Sequence, residues 1–127
     1  MNKPTIFAHI DASEIKEISI TGKRWTDSAG NTYHSVSVAA LVPVAVADRV
    51  NGNQYGKTCG DVWIDLAFDW MVYGYERHFE FTALELLAQA VNRPEWAKEY
   101  RYICQAAAAL NVPYSENVYD VRRKKDL

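Results

Sequence analysis

The chain has 127 residues, of which 49% are hydrophobic and 24% charged, and a formal net charge of −2. That length predicts one domain over residues 1–127 with one real core, and the composition excludes a disordered or low-complexity chain. The longest apolar run, Val36 to Val46, is interrupted by Ser37 and Pro43 and is too short for a bilayer, and the opening MNKPTIFAHIDASE has no apolar centre of the kind a secretory signal needs. A cytoplasmic protein with no membrane partner is expected, with free or buried thiols at Cys59 and Cys104 in preference to the alternative of a lone disulfide. The charge is uneven: the closing VRRKKDL carries four bases and one acid (+3), and the preceding 120 residues carry ten bases and fifteen acids (−5). This mildly acidic body argues against a general DNA-binding protein, so no strong nucleic-acid signal is present.

Residues 1–15 predict no definite element, since Ile6, Phe7 and Ile10 fit a strand or a loosely packed arm. Lys16 to Gly22 alternates polar and apolar residues, which predicts a strand. Lys23 and Trp25 lead from it into the polar turn Asp27-Ser28-Ala29-Gly30-Asn31. A second strand follows from Thr32 to about Val42, closed by Pro43, so the pair is a β-hairpin. Val44 to Val50 reads as a third strand, ended by Asn51-Gly52-Asn53.

Asp61 then caps a predicted helix that runs to Tyr73 and stops at Gly74. Its apolar stripe is Trp63, Leu66, Ala67, Trp70 and Tyr73, and Asp61, Asp65 and Asp69 recur at four on another face. Thr82-Ala83-Leu84-Glu85 has the form of a capping box and predicts a second helix ending near Asn92. Pro94 opens a third, to Leu110 with Asn111 as its cap, burying Trp96, Tyr100, Ile103, Cys104, Ala107 and Leu110. Asn117 to Val121 is a short last strand. Strands followed by helices predict an α+β fold, an antiparallel sheet of three to five strands with about three helices packed on one face.

No motif names a reaction. Gly56-Lys57-Thr58 has the setting of a phosphate loop, but the motif needs Gly at position 51, which is Asn51, and Gly52 is one residue out of register. His9, His34 and His78 lack zinc-ligand spacing, and no catalytic, metal-binding or cofactor-binding residue is assigned. His34 reads either as a pocket residue or as a satisfied, half-buried side chain. The Asp61, Asp65 and Asp69 ridge reads either as a contact for a basic partner or as a solvated helix face. Trp63, Trp70 and Trp96 read as core, whereas Trp25, Tyr33, Tyr55, Tyr73 and Tyr75 sit at strand or loop positions and could stack on a base or fill the core, with Trp25 and Tyr33 flanking a turn. Arg122, Arg123, Lys124 and Lys125 could touch phosphates or simply keep the end of the chain soluble. If a last strand pairs beside the hairpin, Arg122 and Arg123 come near Trp25, Tyr33 and His34.

KRWTDSAGNTYHSVSV and the closing YDVRRKKDL together resemble a family of small, mostly uncharacterised accessory proteins encoded by tailed phages, and QYGKTCGDVWIDLAFDW resembles it more loosely. The family has no established catalytic residues, so the resemblance carries none over. It implies an accessory protein working in the host cytoplasm. The expected function is non-catalytic: binding that inhibits a host function, with a bacterial host protein or defence complex as partner. The alternative is a small protein that sequesters a nucleotide-like signal. Neither reading requires a cofactor, and both leave a homodimer open.

Overall fold

The computed structural model describes residues 4–52, 60–75 and 77–127. The fold is α+β. Five strands form one mixed sheet: β1 (Thr5–Ile6), β2 (Glu17–Thr26), β3 (Thr32–Pro43), β4 (Asp61–Tyr73) and β5 (Tyr114–Val121), in the order β1-β4-β3-β2-β5. All neighbours run antiparallel except β5, which lies parallel to β2. Four α-helices, α1 (Val44–Asn51), α2 (His78–Ala90), α3 (Trp96–Glu99) and α4 (Ile103–Leu110), and two single 3-10 turns, Ala12–Glu14 and Lys124–Asp126, complete the described chain.

The hairpin lies where the sequence predicts it. Asp27 closes the turn with its own side chain, Oδ1 accepting from Ala29 N at 3.0 Å and from Asn31 N at 2.8 Å. Gly30 has a φ of +87°, a left-handed conformation that a Cβ would strain. From this turn β2 and β3 pair without interruption from Thr26↔Thr32 to Glu17↔Leu41. Alternation then sorts the side chains. Ile18, Ile20, Val36, Val38, Ala40 and Val42 are buried against the helices. Ser19, Thr21, Ser37, Ala39 and Leu41 point to the other face and keep part of their exposure. Phe79, Leu84, Leu86 and Leu87 from α2 close the core over the first set, with Ile103 and Ala106 from α4. Gly22 makes room for Phe79, because a Cβ there would sit 3.0 Å from the ring.

Two predicted elements change type. Val44–Asn51 is helix, not strand: it follows Pro43 directly, ends at Gly52 with a φ of +78°, and buries Val44, Val46 and Ala47. Asp61–Tyr73 is strand, not helix. Its pairing with β3 slips once between Val38 and Ala39 and again between His34 and Val36, each slip a β-bulge adding one residue to β4. The bulges shift the phase of a period-two pattern, so Leu66 and Ala67 are both buried and the spacing imitates a helical stripe. Consequently Trp63, Trp70 and Tyr73 are not core; they are 44%, 37% and 53% exposed.

Smaller differences have local causes. Helix α2 starts a turn before the Thr82 capping signature, so Thr82 lies inside the helix. The predicted third helix is two, broken at Tyr100 and Tyr102, both extended, and restarted where Gln105 Oε1 accepts from Arg101 N and Tyr102 N. Cys104 lies on the exposed side of α4 rather than in its buried stripe. The last strand begins at Tyr114, earlier than predicted, and its parallel pairing departs from the expected all-antiparallel sheet. The proposed turn at Asn53, Tyr55, the Gly56-Lys57-Thr58 motif and Cys59 lie outside the described residues.

Leu84→Ala should cost about 2–5 kcal/mol, since it empties a fully buried site, whereas Trp63→Ala should cost much less. Chemical denaturation of the two variants checks the strand assignment of β4, because a helix with Trp63 in the core would reverse that order.

Candidate functional site

The sheet face opposite the core helices gathers most of the polar and aromatic side chains of interest. Register places Trp25, Tyr33 and Tyr73 opposite one another across β2, β3 and β4. Their rings form a row. Trp25 and Tyr33 are stacked at 5.8 Å and 28°, Tyr33 meets Tyr73 edge-on at 5.5 Å, and Tyr73 meets Tyr75 edge-on at 5.4 Å. Cross-strand aromatic pairs of this kind stabilise a sheet by roughly 0.2–1 kcal/mol each. The Tyr73 hydroxyl donates to that of Tyr75 at 2.9 Å, and the Tyr75 hydroxyl reaches Asn31 Oδ1 at 3.4 Å, tying the row to the hairpin turn. The pKa of Tyr75 is raised, the hydrogen bond it shares with Tyr73 being the largest cause.

The basic tail lies beside this row. Strand β5 ends at Val121, opposite Trp25. The chain then crosses the outer face to Ser35 on β3, where the Ser35 hydroxyl donates to the Leu127 backbone oxygen at 2.8 Å and the Leu127 side chain is buried. Lys23, paired across the strands with Ser35, sits beneath the tail. Tail and sheet border a broad groove of about 910 Å³ lined by Lys23, Arg122, Arg123, Lys125, Asp126 and Leu127. Arg123 engages Asp126 at 3.1 Å and sets the short turn before Leu127. Lys23, Arg122 and Lys125 have no ion-pair partner among the described residues.

The residues singled out from the sequence therefore divide. Trp25, Tyr33, Arg122 and Arg123 share one end of the outer face. His34 does not join them. It points to the helix side, is 1% exposed, and its Nε2 lies 2.8 Å from Thr82 Oγ1. Burial, with His78 beside it at 5.5 Å between rings, lowers its pKa to about 4, so it is neutral at neutral pH. Nor do the three aspartates form a helix ridge. Asp61 and Asp65 are exposed at the far end of β4, Asp61 holding Lys16 at 3.1 Å. Asp69 pairs with Val36 on the helix side, where partial burial raises its pKa against the opposing bond from Trp70 N. Lys23, Ser35 and Leu127 border this site but do not belong to the sequence-derived set. The β-branched and aromatic content of DVWIDLAFDWMVY is the signal that could have placed Tyr73 on a strand rather than a helix.

Among the described residues no group of His, Cys, Asp and Glu is arranged to hold a metal, and no described helix is long and apolar enough to cross a membrane. Comparison with protein-family models, with curated proteins and with solved structures finds no match to this chain.

The buried His34 makes stability pH-dependent with a definite sign. Its folded pKa lies below the ordinary value of 6.5, so the unfolded chain takes up the proton first. The contribution is fully present above pH 6.5 and is lost as pH falls towards about 4, by at most about 3 kcal/mol. His34→Gln, which cannot titrate, should unfold with a shallower pH dependence over that window. Equal slopes for the two proteins in urea melts from pH 7 to pH 4 would contradict the assignment.

Proposed function

We propose that the chain is a non-catalytic binding protein that inhibits a bacterial host function, with the outer sheet face as its contact surface. The observation that carries this reading is the row Trp25, Tyr33, Tyr73 and Tyr75, left partly exposed on the sheet face opposite the core helices. Rigid aromatics supply much contact area for little lost side-chain entropy, and they are enriched where proteins bind one another. The basic groove at one end of the row adds charge complementarity for an acidic partner. The resemblance of KRWTDSAGNTYHSVSV and YDVRRKKDL to phage accessory proteins supplies the context: the partner is a host protein, and a defence complex is the class of target proposed. This surface replaces the acidic ridge as the contact, because Asp61, Asp65 and Asp69 do not share one face of an element.

The test is capture from bacterial lysate followed by mapping of the contact. A tagged wild-type chain should retain a host protein at fixed stoichiometry, measured by native mass spectrometry. Trp25→Ala with Tyr73→Ala should weaken that complex by about 2 kcal/mol or more, the range of interface anchors. Asp61→Ser with Asp65→Ser should leave it unchanged. The reverse pattern would move the contact to the far end of β4.

A further inference from the structure

We infer that the groove under the basic tail, together with the Trp25–Tyr33 stack beside it, is a binding site for a nucleotide. The inference rests on reading the outer face as a binding surface, but not on the partner there being a protein. Four cations, Lys23, Arg122, Arg123 and Lys125, line the groove together with Asp126, whose carboxylate Arg123 already engages at 3.1 Å. Lys23, Arg122 and Lys125 are left to meet a multiply charged oxyanion, which favours a phosphate chain over a single carboxylate.

Register supplies the second half of the site. Lys23 and Trp25 are alternate residues of β2, and Ser35 and Tyr33 are alternate residues of β3, all on the outer face. Alternate residues of a strand lie about 7 Å apart. A ring stacked at Trp25 and Tyr33 is thus one such step from a charge held at Lys23. That is the separation a ribose imposes between a base and its 5′-phosphate. The Leu127 backbone oxygen, held by the Ser35 hydroxyl at 2.8 Å, fixes the end of the tail beside Lys23. Stacking tolerates any base, so the site selects for a nucleotide without choosing among bases.

Three probes applied to the folded, isotopically labelled chain in amide and indole NMR spectra test this: ADP, inorganic pyrophosphate and adenosine. ADP should shift the Trp25 indole and the Arg122–Leu127 amides saturably, and should bind at least about tenfold more tightly than pyrophosphate or adenosine alone, as two joined contacts require. Raising the salt should weaken ADP more than adenosine. Lys23→Ser, Arg122→Ser and Lys125→Ser combined should cost ADP at least about tenfold, with the remaining spectrum unchanged. Trp25→Leu should reduce ADP to the affinity of pyrophosphate. No saturable shift with millimolar ADP would overturn the inference. So would equal affinity for pyrophosphate and ADP, or equal affinity for ADP and an oligoglutamate peptide. These outcomes leave the protein-contact reading to its own test, which scores lysate capture by the Trp25→Ala, Tyr73→Ala variant.

Discussion

The register of the β2–β3 hairpin is the constraint on which both faces of the molecule depend. A strand has a side-chain period of two, so a slip of one residue would turn Val36 and Val38 outward and Tyr33 and Ser35 inward. Asp27 prevents the slip by closing the turn from both sides: its N–H donates to Asn31 O at 2.9 Å while its carboxylate accepts from Ala29 and Asn31. The ten-pair ladder that follows places the core and the aromatic row in one operation, since Ile20↔Val38 and Trp25↔Tyr33 belong to the same register.

The two faces solve different problems. The helix side buries aliphatic residues and a few polar groups, several of which find partners within the fold, while the Tyr114 hydroxyl and Glu116 Oε2 have none among the described residues. His34 finds Thr82, and Glu80 finds Arg77, which also reaches Glu116 at 2.6 Å. Each such partner offsets the cost of removing a polar group from water. The outer side has small polar residues at its centre, Thr21, Ser37 and Ser19, with aromatics at its edges. Small side chains leave a surface flat, so large rings beside them stand proud and remain available to a partner.

Strand β4 is where local geometry departs most from the regular. Met71 adopts a φ of +60° next to the second bulge, a conformation costly for a residue with a side chain. Its consequence is visible one residue pair further on, where Val72 meets His34 on the helix side and Tyr73 meets Tyr33 on the outer side. Without the extra residue, the end of β4 would present its side chains to the opposite faces, and Tyr73 would be lost to the row. The irregular backbone thus places the third member of the aromatic surface.

Much of the fold is legible in the sequence because its signals are local. The polar turn from Asp27 to Asn31, the alternation on either side of it, the left-handed Asn111 after α4 and the buried faces of Trp96, Ile103 and Ala107 all follow from neighbours a few residues apart. The α+β class follows from the order of such segments. β4 and α1 were not legible, because tertiary contacts decided them. Two bulges disguised the period of DVWIDLAFDWMVY, and bulges exist only where a partner strand is present to be mismatched. Val44–Asn51 could serve as strand or helix until its place at the end of β3, against the core, selected the helix. The same holds for the candidate surface. Sequence pointed to Trp25, Tyr33, Arg122 and Arg123 separately, and to His34 beside them in the chain. Only the parallel pairing of β5 with β2 brings the tail to the aromatics, and only the pleat of β3 sends His34 to the opposite face.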